Sequence, residues 1–397
     1  MIMNRRMIDQ CLLMVFLCLS YDGVRGTKLS KQEDLELEKQ LKVLNKPPIK
    51  TIKTKYGDIY DCVNFYEQPA FNHPLLKNHN YHPQMKPSLS MKESVSTIST
   101  SNYKLSRIEC PVGTVPIRRT TKEDLMRHKL MPPPEDVMVN NSLIRRENSS
   151  DLKRRYKPLK GYKIAIVHTE DFPGNKFGGA GVITNVYNPH VEGQQHSACR
   201  LKLIKETNII QVGWRVDPTL YGDNLTRLFI HFTDGKTSSC FNLFCPAFVL
   251  LNTQIPIDGV FDPVSERGGN ISDIGLSINW DLKEGNWWLF STESNTPFGF
   301  WPREVFDDDF AHFATRVEWG GVVYSPQGIL EPPMGSSFFP IENDNYDAFC
   351  KNMTLLSDRG ERLFAVESQL STYIDNSDLY NVLTNPGLMY YGGPGEQ

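Results

Sequence analysis

Three histidines, His73, His79 and His82, lie close together in a loop segment, and histidine is a common zinc ligand. No cysteine or acidic residue stands beside them at ligand spacing, so no metal is expected there. Cys240-Phe-Asn-Leu-Phe-Cys245 is spaced for a tight local disulfide, and no second Cys/His pair follows it to complete a metal site. The sequence contains no HExxH, no GxSxG, no Walker A loop and no calcium-binding EF-hand loop. Gly178–Val182, GGAGV, lacks dinucleotide spacing and reads as a tight turn before a strand. No cofactor is expected.

The elements that would carry a site are strands. Asn208–Asn224, NIIQVGWRVDPTLYGDN, alternates through Val212, Trp214 and Val216 and stops at Asp217-Pro218, where proline cannot continue an interior ladder. Arg316–Pro326, RVEWGGVVYSP, repeats the texture of a tryptophan beside glycine among valines. From Tyr162 onward KIAIV, GVITNVYNP, Ala198–Ile204, RLFIHFT, AFVLL, IGLSINW, NWWLF and FCKNMTLL add further short strands between turn residues. Many strands with few helical patterns predict an all-β fold, a sandwich or a barrel. Trp287 and Trp288 must face opposite sides of their strand, which predicts at least one at the surface or in a groove. Asp358–Tyr380 reads as weakly helical or irregular.

Residues 1–26 have the form of a secretory signal: Arg5 and Arg6 precede the apolar run Cys11–Leu19, and Val24-Arg25-Gly26 offers a cleavage point. That run is too short to span a bilayer and no later run is longer, so no membrane anchor is expected. Secretion to the extracellular space or cell wall follows. Six cysteines remain, Cys62, Cys110, Cys199, Cys240, Cys245 and Cys350, an even set that an oxidising compartment would pair. Five sequons, at Asn140, Asn148, Asn224, Asn270 and Asn352, agree with secretion.

Residues 27–160 carry 25 Lys/Arg against 15 Asp/Glu, whereas residues 161–397 carry 15 against 29. Opposite fields favour association of the two parts, and protonating carboxylates in acid would weaken it. The basic part has no compact stripe interleaved with aromatics, so no nucleic-acid partner is expected. A helix is predicted over Gln32–Leu44, ending before Asn45-Lys46-Pro47-Pro48, and a short one over Thr121–Leu130 with Thr121 at its N-cap. Residues 131–160 hold a run of three prolines, two sequons, Arg145-Arg146 and Arg154-Arg155, the composition of an exposed linker with candidate processing sites.

In this order, DCVNFYEQPAFNHPLLKNH, ECPVGTVPIRRT, IIQVGWRVDPTLYGDNLTRLFIHFT, CFNLFCPAFV, GNWWLF, FGFWP, VEWGGVVYSP and the terminal YYGGPG resemble the neprosin family of plant secreted proteins. The resemblance covers nearly the whole chain after the signal. It implies an α+β activation peptide over residues 27–130, the linker, and an antiparallel β-sandwich of two sheets over 161–397. It also implies glutamic endopeptidase activity beside proline in acid, with proline-containing peptides or proteins and the chain's own activation peptide as partners. A Cys62–Cys110 bridge would then be structural.

The resemblance puts one catalytic glutamate where this chain has Gln211 and the other where it has Val322. Two-carboxylate hydrolysis needs one group to deprotonate water and another to stabilise or protonate the intermediate. Gln211 can donate a hydrogen bond but cannot take a proton, and Val322 can do neither. A second glutamic peptidase family pairs glutamine with glutamate, so Glu318 is a candidate substitute base. Strict alternation puts Glu318 and Val322 on one face, and a bulge at Gly320-Gly321 would break that parity. Trp214 and Trp319 flank these positions and read either as a proline-stacking groove or as sandwich core, the commoner fate of such tryptophans. Cys199 and Cys350 fall where the family is not typically cysteine, and a bridge between them requires Cα atoms within about 7 Å. The family's C-terminal cysteine is here Glu396. The sequence thus points to a neprosin fold with lost or weakened catalysis, or to an acid-active peptidase relying on Glu318 and Gln211. A carbohydrate-binding sandwich is a third reading, resting on fold analogy and aromatic content alone.

Overall fold

Alternation along single strands assigns the layers. In His196–Lys205 the side chains of Cys199, Leu201 and Leu203 join the main apolar core, while His196, Arg200 and Lys202 face the other way. The same split runs through Asn208–Val216, with Ile210, Val212 and Trp214 inward and Gln211 and Arg215 outward. Arg316–Tyr324 follows it too, with Val317, Trp319 and Val323 inward and Glu318 and Val322 outward.

A computed structural model describes residues 30–88, 105–133, 135, 160–170, 172, 174–234, 239–306, 310–363 and 370–396. The early strands are β1 (Pro48–Lys53), β2 (Ile59–Asn64) and β3 (Thr114–Arg118), which form a three-stranded sheet. Then come β4 (Tyr162–Thr169), β5 (Phe177–Asn185), β6 (His196–Lys205), β7 (Asn208–Val216), β8 (Arg227–Asp234), β9 (Ser239–Phe241) and β10 (Val249–Leu250). These are followed by β11 (Asp273–Trp280), β12 (Trp287–Ser291), β13 (Thr296–Trp301), β14 (Arg316–Tyr324) and β15 (Met334–Gly335). The chain ends through β16 (Ala348–Ser357), β17 (Arg362–Leu363), β18 (Leu370–Ile374), β19 (Asn381–Asn385) and β20 (Leu388–Gly393). One antiparallel sheet runs β18-β4-β14-β6-β7-β8-β9. The other runs β10-β13-β12-β11-β5-β16-β20-β15, with β17 beside β16 and β19 beside β20. The fold is the expected all-β sandwich of two antiparallel sheets.

The two sheets share one core. The indole Nε1 of Trp214 donates to Asn185 O at 2.9 Å and that of Trp319 to Gly181 O at 3.2 Å, so β7 and β14 are tied to β5 across the sandwich. β14 keeps one-to-one register with both β4 and β6 through Gly320 and Gly321, so no bulge interrupts it. Gly320 adopts φ +128°, which a side chain would resist, and a Cβ there would meet Ala165 O at 2.6 Å. The glycine lets the strand twist without changing parity.

The expected surface or groove position for one of Trp287 and Trp288 is not found: both are fully buried. Trp287 stacks on Phe310, while Trp288 packs on Phe300, which Tyr81 of the early segment covers in turn. Asp358–Tyr380 is also not helical in its described part, because β17 and β18 lie there and β18 forms the edge of the seven-stranded sheet beside β4.

The chain divides into two compact units, Met1–Leu41 and Lys42–Gln397. Helix α1 (Lys31–Leu44) contributes most of the described part of the first, and Ser30 and Glu33 cap it reciprocally. In the second unit, helix α2 (Lys122–His128) begins at the Thr121/Asp124 capping box. The Cys62–Cys110 disulfide fastens the early segment to itself. Buried Arg227 of β8 grips Asp58 at 2.9 Å, and Arg118 of β3 meets the same carboxylate at 2.9 Å, which fixes β1–β3 against the sandwich.

Candidate active site

The outward side chains of the seven-stranded sheet form one continuous polar face. Register aligns Glu318 of β14, Lys202 of β6, Gln211 of β7 and His231 of β8 as a single rung across four strands. Arg200 lies two residues from Lys202 on the same face, and Arg316 two residues from Glu318. Gln211 and Glu318 therefore flank Lys202, one strand away on either side. Val322 is not in this rung. It lies four residues further along β14, roughly 13 Å at strand rise, aligned with Ala198 and Arg215 and packed with Ile164 and Phe229. The positions expected to replace the two catalytic glutamates are thus not brought together, and Val322 is part of an apolar cluster.

Glu318 is fully buried and saturated. Its Oε1 accepts from Arg316 Nε at 2.8 Å and its Oε2 from Arg200 Nη2 at 3.0 Å, with Lys202 Nζ at 3.8 Å. Burial alone would raise its pKa, but Lys202, Arg200 and Arg316 prevail and hold it below the usual carboxylate range. A second carboxylate completes the cluster from outside the sandwich: Glu135 Oε1 accepts from Arg200 Nε at 2.8 Å and Lys202 Nζ at 2.7 Å. Burial opposes its charge too, and the same two cations override it, pulling its pKa well down. Glu135 belongs to the stretch read as an exposed linker, yet it is 8% exposed and docked. Two further contacts hold the same strip. Tyr162 Oη donates to Pro133 O at 2.8 Å, and Gln194 Nε2 donates to Leu130 O at 3.0 Å.

At the other end of the rung, Gln211 Nε2 meets His231 Nδ1 at 2.9 Å and His231 Nε2 meets Ser239 Oγ at 3.0 Å. With the amide donating, His231 accepts at Nδ1 and carries its proton on Nε2. Burial drives the His231 pKa down to about 3, so the ring is neutral and receives no proton in mild acid. His196, between Tyr162 and Tyr324, is likewise lowered to about 3, first by burial and then by Arg215.

Trp214 and Trp319 point away from this face into the core and are fully buried, so neither lines a groove. The three clustered histidines do not converge: His73 Nδ1 accepts from Leu75 N at 3.3 Å and His79 Nδ1 from Tyr81 N at 3.1 Å, each capping its own turn. Among the described residues no group of three or more His, Cys, Asp or Glu could hold a metal ion. Cys240–Cys245 is bridged, as is Cys62–Cys110. Cys199 of β6 and Cys350 of β16 face each other across the core at an Sγ–Sγ distance of 3.5 Å but are not bonded, so that pairing is not present. Asn224 and Asn270 are exposed and Asn352 is half-buried, while Asn140 and Asn148 lie outside the described residues. Among the described residues no helix is long and apolar enough to cross a membrane.

Arg200, Lys202, Arg316, His231 and Glu135 went unrecognised in the sequence. The signal for the first three was present as charges at every second position of otherwise apolar strands, a pattern that looks like an ordinary solvent face.

The model of the family described as Neprosin matches residues 193–394, and that described as Neprosin activation peptide matches residues 51–167. A solved structure of scytalido-glutamic peptidase with a peptide-based transition-state analogue is 12% identical, with a TM-score of 0.32 over 58% of this chain and 97% of that one. SCP-B, a member of the eqolisin family of peptidases in complex with the tripeptide Ala-Ile-His, is 11% identical, with a TM-score of 0.30 over 58% of this chain and 96% of that one. With both family models matched in order and the first alone spanning half of its length, the chain belongs to the neprosin family.

Proposed function

We propose that this chain is a secreted, peptidase-type neprosin that binds proline-containing peptides on the outer face of its seven-stranded sheet and has lost most or all of its power to cut them. The observation that carries the reading is the state of Glu318. A general base works best with a pKa near the operating pH and with access to water. Glu318 has both oxygens engaged by Arg316 and Arg200 and is held as a weak base. Its rung partner Gln211 has no proton to exchange, and loss of a general base costs about 10²–10⁴-fold. Binding is supported by the strip Leu130–Glu135, whose described residues show a proline-rich stretch of this chain seated on the same face. The bridged cysteine pairs and the exposed sequons Asn224 and Asn270 support secretion.

One feature favours the alternative of an acid-dependent endopeptidase: Glu318 and Gln211 share a rung, with Lys202 between them as an electrophile. A quenched proline-containing peptide, assayed in acid with linker-cleaved wild type and with Glu318→Gln, separates the two. No turnover above blank by either protein supports the proposal. Turnover by wild type that Glu318→Gln abolishes establishes the alternative.

A further inference from the structure

The inward side of β6 carries a nucleophile that the polar face on its other side does not use. Cys199 is 1% exposed, and its Sγ lies 3.5 Å from Cys350 Sγ on β16 and 3.3 Å from Thr184 Oγ1 on β5. Thr184 is also the register partner of Cys350, so the three side chains meet in the core where the two sheets face each other. Among the described residues these are the cysteines outside a disulfide. A buried cysteine commonly serves as a small apolar filler. Two that touch across the sheets can do more, because their sulfurs need come only about 1.5 Å closer to reach bonding distance. Nor are the two thiols equivalent. Burial works against the Cys199 thiolate, but its contacts with Cys350 and Thr184 and the charge of Arg200 prevail and hold its pKa below the ordinary thiol value. Burial and the neighbouring Cys199 push Cys350 well above that value. An attacking thiol and a resolving thiol are thereby set side by side.

We propose that Cys199 and Cys350 form an oxidation site, at which a peroxide joins the two sheets through a disulfide. The Cys199 thiolate attacks one peroxide oxygen, the O–O bond breaks, and the departing hydroxide takes the thiol proton to leave as water. Cys199 is then a sulfenic acid. The Cys350 sulfur attacks Cys199 Sγ, the S–S bond forms, the S–O bond breaks, and a second water leaves with the Cys350 proton. Two thiols lose two electrons and two protons, and one peroxide becomes two waters. Hydrogen peroxide is little larger than water and reaches the pair through local opening of the core. The product ties β6, which bears Arg200 and Lys202, to the opposite sheet across a sequence separation of 151 residues. A bridge that closes so long a span removes much freedom from the unfolded chain and stabilises the sandwich.

The test treats the full chain with hydrogen peroxide at neutral pH, then denatures, alkylates and digests it without reductant. Alkylation is expected at Cys199 and Cys350 before treatment and at neither afterwards. Mass spectrometry should find their two peptides joined and lighter by two hydrogen atoms than their sum. In Cys350→Ala the same treatment should leave Cys199 with added oxygen and no joined peptides. That variant also reports what methionine oxidation does to the melt. With its change subtracted, treated wild type should melt about 10 °C higher than untreated. Label retained at both cysteines overturns the proposal, as does label lost to added oxygen with no joined peptides in wild type. Joined peptides with no rise in Tm overturn the stabilising role. If Cys350→Ala folds poorly, Cys350→Ser keeps the volume, and the presence or absence of joined peptides in wild type decides the oxidation site by itself.

Discussion

Replacing Glu318 by glutamine keeps the side-chain volume, retains one acceptor oxygen and removes the charge that three cations share. Glu135 still faces Arg200 and Lys202. Removing one partner from a buried ion network costs about 3–5 kcal/mol. The oxygen kept for Arg316 puts the expectation at the lower end, about 3 kcal/mol, and in a domain of this size each kcal/mol lowers Tm by roughly 2–4 °C. A fall of about 6–12 °C is therefore expected at neutral pH, read by calorimetry. The pH dependence has a definite sign. Glu318 has a folded pKa below its unfolded value, so its contribution is complete above the unfolded value and disappears as pH falls through the folded one. The gap between wild type and variant should therefore narrow in strong acid. An unchanged Tm at neutral pH, with loss of a measurable peptidase activity, would refute the view that Glu318 is a counter-ion and make it the base.

Asp58→Asn removes the charge that buried Arg227 and Arg118 grip, and should cost about 3–5 kcal/mol and expose the β1–β3 segment to protease; an undiminished Tm and unchanged protease resistance would contradict this anchoring. Stability should fall from about pH 6.5 downward, ahead of the carboxylates. His128 is lowered to about 4 and His196 and His231 to about 3, mainly by burial, so unfolding takes up protons at each, at up to about 1.4 kcal/mol per group and pH unit. The groups around them are Asp124, Arg127 and Asp217 for His128, Arg215, Asp217 and Glu135 for His196, and Glu135, Lys202 and Arg215 for His231. A Tm that stays flat down to about pH 4.5 would exclude this assignment. Alkylation of the denatured chain without reductant should label Cys199 and Cys350 and spare Cys62, Cys110, Cys240 and Cys245; failure to label the first two would show a bridge between the sheets.

The strands were legible because period-two alternation survives in single segments, as in Val212, Trp214 and Val216, and turn residues mark their ends. The same signal misled at Trp288: alternation says that it faces away from Trp287, but the cover supplied by Tyr81 and Phe300 is a long-range event that no local pattern records. β18, with the sequence LSTYI, was missed because its burial is only partial and it forms an edge. At the site, Gln211 and Glu318 could be singled out by type, whereas their separation by Lys202 is a matter of register. Glu135 had no local signal at all. A glutamate after three prolines reads as solvent-exposed, and only Arg200 and Lys202 on a strand far along the chain make it a buried ion.

Whether the face holds a peptide without cutting it is tested most directly by mass spectrometry of a peptide recovered from its complex. The linker-cleaved chain would be incubated in acid with acetyl-Leu-Met-Pro-Pro-Pro-Glu-amide, separated with its bound peptide, and the peptide released and weighed. The account predicts peptide of the intact mass in the bound fraction. Fragments ending at or beginning after proline, absent from the Glu318→Gln control, would contradict it and make this chain a working peptidase.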